Sequence, residues 1–221
     1  RDRSYVLGVL TKEQLEHSLF PLGKAANKDD IRAEATAREL SVAQKPDSYD
    51  ICFIPEGDTR DWLSDKIDRT DGAIVDLEGN HLGTHDGAIG FTVGQRKGLN
   101  IGKPAADGKP RYVLSIRPKD NVVVVGPDEA LLISELSGAK YSWCGEAPSN
   151  TTDWFDAEVQ VRAHGLSHPC RVKVADNQMV ISLSEPIRGV SPGQTAVVYL
   201  GSRVLGQATI DKTVSAVMEQ V

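Results

Sequence analysis

The sequence predicts a mainly β protein with a helical N-terminal remnant, a small central β domain and a C-terminal antiparallel β-barrel. Three observations support this prediction. Capping signals and helically spaced apolar residues occur only up to about residue 67. After Asp71, short apolar runs are separated by frequent turn signals such as Glu-Gly, Asp-Gly and Gly-Pro. In the last hundred residues these runs show the period of two that is typical of half-buried strands.

The helices are expected in the first part of the chain. One is predicted to begin at Thr11, which opens a capping-box pattern, and to end at Pro21. A second is predicted to begin near Asn27, whose side chain is a good helix cap. A third, short helix is predicted from Asp58 to Ile67.

The strands divide the rest of the chain. Apolar and polar residues alternate from Phe155 to Ala163, which predicts one long strand, and four further runs follow it: CRVKVA, MVISL, TAVVYL and RVLGQATI. We place domain boundaries so that residues 1–68 are the end of an α/β domain, 69–117 a central β domain and 118–221 the barrel. Residues 1–68 contain helices and one strand but no complete sheet.

The composition indicates an ordinary soluble protein, which we expect to be cytoplasmic. Apolar residues make up 40% and charged residues 25%, and no apolar run approaches the ~20 residues that cross a bilayer. The three cysteines are widely and irregularly spaced. Neither a framework of paired disulfides nor a CxxC zinc pattern is therefore available.

The charges are strongly segregated although the net charge is only −6. Residues 47–86 contain eleven acidic side chains and three basic ones, whereas residues 91–120 contain seven basic and two acidic ones. A local basic segment on an acidic protein can still bind phosphates, because salt screens charges beyond ~8 Å. From charge alone, a solvated lysine-rich loop is an equally good interpretation.

The basic segment contains an unusual glycine-rich stretch, GFTVGQRKGLNIG, at residues 90–102. Its four glycines surround Gln95, Arg96 and Lys97, so the loop could present backbone amides and cations to a phosphate. The GxxxxGK[ST] pattern of a P-loop is absent. A glycine-rich barrel corner is the structural alternative.

The cysteine at position 52 lies in a short apolar strand, DSYDICFI, that follows acidic and polar residues. A free cysteine is usually a small buried hydrophobe, and that interpretation stays open for Cys52. A second cluster contains His164, His168 and Cys170, but Gly165 and Pro169 interrupt it and only three soft ligands are within reach, so we predict no metal site. His81 and His85, at the same spacing, do not change this expectation.

Several motifs together resemble one family. RDRSYVLGVL, LFPLG, KPDSYDICFIPEG, GFTVGQRKGLNIG, RYVLSI, SPGQTAVVYL and VLGQATI look like segments of the tRNA-specific 2-thiouridylases, also called tRNA-uridine 2-sulfurtransferases. The resemblance is collinear from Arg1 to about Ile210, and GQRKGL and the ICFI stretch are its most specific parts.

The resemblance implies an enzyme that forms 2-thiouridine at the wobble uridine of tRNA. ATP, with Mg²⁺, would be bound by an N-terminal ATP-pyrophosphatase domain whose SGGVDSS-type loop this sequence lacks, so no cofactor is expected on this chain. Cys52 would carry the transferable sulfur as a persulfide, which attacks uridine C2 after adenylation of its oxygen. A cysteine upstream of this sequence would then reduce the persulfide, leaving a disulfide or releasing sulfide.

The same resemblance implies the partners. Gln95, Arg96 and Lys97 would contact tRNA, a cysteine desulfurase or sulfur relay protein would load Cys52, and no membrane is involved. The chain alone is expected to be inactive. The alternative function is that of a non-catalytic tRNA-binding β module.

Overall fold

The computed structural model describes residues 4–46, 70–102 and 107–217. Among these, residues 13–46 belong to one compact unit, and residues 4–12 belong to a second unit together with everything from residue 70 onward. No helix in the described ranges is long and apolar enough to cross a membrane. The domain boundaries expected near residues 69 and 118 remain predictions.

The first unit is helical. It contains most of α2 (Lys12–Glu16) and all of α3 (Lys28–Ala37), and neither helix has a buried residue. The predicted cap of α3 is confirmed, because the backbone N–H of Asp30 donates to Asn27 Oδ1 at 2.9 Å. The helix predicted from Asp58 to Ile67 lies outside the described residues.

The helix predicted from Thr11 begins where expected but ends at Glu16, well before Pro21. Two side chains bond carbonyl groups in the last turn of this helix. His17 Nδ1 bonds the Glu13 carbonyl oxygen at 2.8 Å, and Ser18 Oγ donates to the Gln14 carbonyl oxygen at 2.6 Å. Local side-chain bonds of this kind favour a turn over a further helical turn.

The second unit contains a small four-stranded sheet in the order β2-β1-β4-β3. Strands β1 and β2 form a hairpin, β3 and β4 form another, and β1 runs parallel to β4. Its core holds Ile74, Val113, Val123 and Val125 together with Phe91. The strands are β1 (Gly72–Val75), β2 (His81–His85), β3 (Tyr112–Arg117) and β4 (Val122–Gly126).

The remaining eight strands form one antiparallel sheet in the order β12-β5-β9-β8-β7-β10-β11-β6. The mainly β fold and the C-terminal antiparallel barrel predicted from the sequence are confirmed. The strands are β5 (Leu132–Gly138), β6 (Tyr141–Trp143), β7 (Phe155–Gln160), β8 (His168–Ala175), β9 (Gln178–Arg188), β10 (Thr195–Leu200), β11 (Arg203–Thr209) and β12 (Lys212–Ser215).

The two ends of this sheet meet, which curls it into a barrel. Strand β12 pairs with β5 at one end of the strand order, and β11 pairs with β6 at the other end. Because β5 and β6 follow each other in sequence, as do β11 and β12, and the two pairs share one register, they form parts of the same ladder. Backbone bonds of 2.8 Å from Thr209 N to Lys140 O and from Asp211 N to Ser137 O continue the ladder across the break. A β-carbon at Gly138 would collide with the Thr209 carbonyl oxygen, so only glycine permits this close approach.

Strand β10 is buried on both faces. Ala196 and Val198 point into the barrel core, whereas Val197 and Tyr199 point outward but are only 0% and 8% exposed. The N-terminal segment, residues 4–8 including helix α1 (Ser4–Leu7), covers this outer face. Such double burial explains why the strand sequence TAVVYL is almost continuously apolar.

Hydrogen bonds and one close backbone approach hold the N-terminal segment on the barrel. Tyr5 Oη donates to the Thr195 carbonyl oxygen at 2.8 Å, and the Cys144 thiol donates to the Gly8 carbonyl oxygen at 3.2 Å. A β-carbon at Gly8 would lie 2.8 Å from both methyl carbons of Val197. The segment therefore approaches the strand as closely as its backbone allows.

Candidate nucleic-acid interface

The glycine-rich stretch forms a compact loop that is tied to the start of β3. Gly94 N donates to Val113 O at 2.8 Å, and Val113 N donates to Gln95 O at 2.9 Å. Gly94 and Gly98 have φ values of 87° and 76°, a conformation that costs glycine nothing. These backbone bonds fix the loop to the small sheet.

The side chain of Gln95 is used within the loop itself. Its Oε1 accepts from Thr92 N at 3.0 Å, and its Nε2 donates to Lys97 O at 2.9 Å. The amide therefore bridges the two sides of the loop around Arg96. Gln95 has a clear positioning role, while its direct contact with RNA remains a prediction.

The two cations of the loop point into solvent. Arg96 and Lys97 are exposed, and neither forms an ion pair with another residue in the described part of the chain. By contrast, Lys109, from the same basic segment, lies 3.3 Å from Glu129 Oε1. The loop thus offers two adjacent uncompensated charges on a backbone that is already fixed, an arrangement suited to phosphate contact.

Two of the backbone amides of the loop are used within the protein. The amides of Gly94 and Gln95 donate to the carbonyl oxygens of Val113 and Thr92, so neither is available to a phosphate. Gly94 therefore serves the fold of the loop.

The predicted catalytic residue, Cys52, lies outside the described residues. The other two cysteines are described, and both are poor nucleophiles. Burial raises the pKa of Cys144, and burial with smaller contributions from Glu158 and Asp156 raises the pKa of Cys170 to about 12. At neutral pH both remain thiols, and the thiolate is the reactive form.

The histidines and the cysteine singled out in the sequence differ in burial. His164 is exposed, whereas Cys170 points into the barrel core. His85 is buried beside the Phe91 ring, and its Nδ1 accepts from Gly87 N at 3.0 Å. Across the residues that the structure describes, no three His, Cys, Asp or Glu side chains are grouped so that they could hold a metal ion.

An open cavity of about 360 Å³ at the end of the barrel was not predicted. The loop between β7 and β8 forms one side of it and the end of β9 forms the other. Its polar lining includes Arg162, His168, Glu185 and Arg188. These residues come from two separate segments of the sequence and carry no shared motif, so no sequence pattern predicted the cavity.

Comparison with known protein families assigns most of the chain to three related models. Residues 1–56 match a "tRNA methyl transferase HUP domain", residues 60–127 a "tRNA methyl transferase PRC-barrel domain", and residues 133–210 an "Aminomethyltransferase beta-barrel domain". The second and third matches coincide with the small sheet and the barrel.

Curated relatives are similar over nearly the entire chain. The tRNA-specific 2-thiouridylase MnmA of Clavibacter sepedonicus is 60% identical over 99% of this chain and 56% of its own length. The proteins of the same name from Clavibacter michiganensis subsp. michiganensis and Leifsonia xyli subsp. xyli are 61% and 58% identical, each over 98% of this chain and over 57% and 59% of their own lengths.

These matches define a tRNA-modifying class of protein with consecutive HUP, PRC-barrel and β-barrel parts. Within that class, the chain belongs to the tRNA-specific 2-thiouridylase family, as its sequence motifs indicated. It spans between 56% and 59% of the length of these three relatives.

Proposed function

We propose that this chain is the central and C-terminal part of an ATP-dependent tRNA-uridine 2-sulfurtransferase that forms 2-thiouridine at the wobble uridine. The observation that carries this proposal is the identity of about 60% to 2-thiouridylases over nearly the whole chain. Relatives extend well beyond the matched part, so ATP is assigned to residues outside this sequence. The chain alone is expected to be inactive, and a cytoplasmic location follows from a tRNA substrate.

Cys52 is proposed to carry the transferable sulfur as a persulfide, loaded by a donor protein such as a cysteine desulfurase or a sulfur relay. Sulfur is a strong nucleophile and exchanges readily between thiols, which suits both loading and delivery. The raised pKa values of Cys144 and Cys170 support this choice, because those thiols are mostly protonated at neutral pH.

The loop around Gln95 is proposed to contact the tRNA backbone. Arg96 and Lys97 would bind phosphates, and Gln95 would hold them in place through its bonds to Thr92 and Lys97. Contacts of this kind position an RNA without reading its sequence. The loop therefore supplies affinity, and the choice of tRNA is assigned to other residues.

The catalytic proposal is tested by joining the chain to the N-terminal part of the Clavibacter sepedonicus relative and measuring 2-thiouridine in tRNA by mass spectrometry. Cys52→Ser should abolish the product, whereas the matched control Cys144→Ser should retain it. Thiolation by the Cys52→Ser protein at the parental rate would refute the persulfide role.

The binding proposal is tested by titrating the chain with tRNA at several salt concentrations. The double variant Arg96→Ala/Lys97→Ala should bind more weakly, and its negative slope of log K against log salt should be less steep by about 1 to 2. The control Lys140→Ala/Lys212→Ala removes two exposed charges from the barrel and should leave the slope unchanged.

Two outcomes would favour the alternatives. If tRNA binding depends on Arg96 and Lys97 while thiolation does not depend on Cys52, the non-catalytic tRNA-binding module is the better description. If the parent chain shows no tRNA binding at low salt, the glycine-rich stretch is only a corner of the fold.

A further inference from the structure

A chain of side-chain hydrogen bonds runs across the outer face of the barrel from the N-terminal segment to the loop after β7. Tyr199 Oη donates to Gln160 Oε1 at 3.0 Å and lies 3.3 Å from Ser4 Oγ. Gln160 Nε2 donates in turn to Arg162 O at 2.8 Å and to Gly165 O at 3.2 Å. Five residues from three separate parts of the sequence are thereby linked through the Tyr199 hydroxyl and the Gln160 amide.

The geometry fixes the direction of every bond in this chain. Tyr199 has one hydroxyl proton, and Gln160 Oε1 accepts it, so the Ser4 hydroxyl donates to Tyr199. Both protons of Gln160 Nε2 are used on the loop. Because Tyr199 is only 8% exposed, water has little access to replace the bonds that this hydroxyl makes.

The series of hydrogen bonds connects two different parts of the molecule. One end is the segment 4–8, which covers β10 and belongs to the region matched by the HUP model. The other end is the loop 161–166, which forms one wall of the open cavity. The guanidinium of Arg162, on this loop, also donates to the Gly189 carbonyl oxygen on the opposite side.

We propose that Tyr199 and Gln160 are positioning residues that hold the cationic loop 161–166 in a fixed relation to the N-terminal segment, so that both are set for one bound tRNA. The relevance to tRNA rests on the proposed function. Arg162 lines the cavity from this loop and Arg188 lines it from β9, so two guanidinium groups face a rim that also holds Glu185. A phosphate of an RNA backbone would bind through these two guanidinium groups.

The coupling itself is tested without RNA, by hydrogen exchange of the chain. Tyr199→Phe keeps the ring and removes the hydroxyl, and Gln160→Leu removes the amide. Each should raise exchange in both 4–8 and 161–166 by about two- to tenfold, and the double variant should add little, because both changes break one chain. Fully additive effects would overturn the proposal.

Gln160→Glu distinguishes the hydrogen bond to Tyr199 from the two hydrogen bonds to the loop 161–166. A carboxylate still accepts from Tyr199 but has no proton for Arg162 O and Gly165 O at pH 8. Exchange should therefore rise in 161–166 while 4–8 remains protected. Gln207→Leu is the matched control, since Gln207 Nε2 donates to Ser142 Oγ at 3.2 Å elsewhere on the same barrel. It should change neither segment.

The consequence for RNA is tested by tRNA titration of the same variants. Tyr199→Phe and Gln160→Leu should weaken binding by about two- to tenfold, and Gln207→Leu should not. Coupled exchange with unchanged affinity would overturn the role in tRNA binding. If exchange is coupled as expected but Arg96→Ala/Lys97→Ala leaves the affinity unchanged, the proposed loop contact fails while the positioning role of Tyr199 and Gln160 stands.

Discussion

The guanidinium carbon of Arg188 lies 5.2 Å from the centroid of the Tyr112 ring. Arg188 is the last residue of β9 in the barrel, and Tyr112 is the first residue of β3 in the small sheet. The same guanidinium donates to Asp128 Oδ1 through Nη2 at 2.5 Å and through Nε at 3.1 Å. One side chain thus joins the two sheets of the second unit beside Gly94, which belongs to the glycine-rich loop.

Arg188→Ala should destabilise this junction by about 1 kcal/mol, because it removes a cation–π contact and a half-exposed ion pair. Arg188→Lys should recover part of the loss, since it keeps the charge without the planar fork. Urea unfolding gives the free energy, and hydrogen exchange should rise in 112–117. The control Arg38→Ala removes an exposed i,i+4 pair with Glu34 and should cost less. Equal losses would contradict this assignment.

Gly8→Ala should loosen the N-terminal segment from the barrel. The new β-carbon would lie 2.8 Å from both methyl carbons of Val197, so the segment or the strand must shift, at a cost of about 1 to 3 kcal/mol. Urea unfolding and exchange in residues 4–10 measure the effect. Gly102→Ala is the matched control, because a β-carbon there meets no atom within 4 Å. If exchange in Gly8→Ala is the same as in the parent, the segment and Val197 accommodate the new methyl group without loosening.

The stability of the protein should fall in alkali because of Cys170. Its pKa is raised from 9.0 to about 12, chiefly by burial, so above pH 9 the unfolded chain loses this proton while the folded chain keeps it. The contribution of the buried thiol to the free energy of unfolding is fully present below pH 9. It is lost as pH rises to about 12, at up to about 1.4 kcal/mol per pH unit. In Cys170→Ala this part of the slope should vanish. Parallel stability curves for parent and variant above pH 9 would contradict the prediction.

Asn121 should be sensitive to two separate changes. Its φ is 51°, its Nδ2 donates to the Thr70 and Asp71 carbonyl oxygens at 2.8 and 3.0 Å, and its Oδ1 accepts from Ala88 N at 3.2 Å. Asn121→Gly removes only the bonds, whereas Asn121→Ala also strains the backbone by about 1 to 2 kcal/mol. Thermal unfolding should therefore rank parent, glycine and alanine in that order.

Asn177 provides the comparison for Asn121. It also has a positive φ, of 58°, in the turn between β8 and β9. Asn177→Ala should be destabilising, but Asn177→Gly should be close to the parent. If Asn121→Gly is equally harmless, the bonds to Thr70, Asp71 and Ala88 contribute nothing measurable.

Local pattern was enough to predict the positions of the five strands β7 to β11. The alternation that begins at Phe155 predicted β7, and the cap at Asn27 predicted the start of α3, because both depend on neighbours in sequence. Strand β7 nevertheless ends at Gln160, three residues before Ala163. The Gln160 side chain bonds the Arg162 and Gly165 carbonyl oxygens, which favours a turn there.

The contacts that build the sites were harder to predict, because they join distant residues. Val197 and Tyr199 look like ordinary strand residues until the segment that covers them, almost 200 positions earlier, is placed on the strand. Gln95 was expected to contact tRNA because its GQRKGL motif resembles that of the 2-thiouridylases. Its use as an internal brace depends on the spacing of Thr92 and Lys97 around it, which a list of residue types does not reveal.

The position of the docked N-terminal segment also constrains the order of assembly on the ribosome. Tyr5 bonds a carbonyl group 190 residues downstream, so the segment 4–8 can dock only after residue 195 has been synthesised. Loop closure over such a distance comes late in folding. A nascent chain that stops before β10 would leave helix α1 without the strand on which it packs. Such unfinished products should be readily removed by proteases.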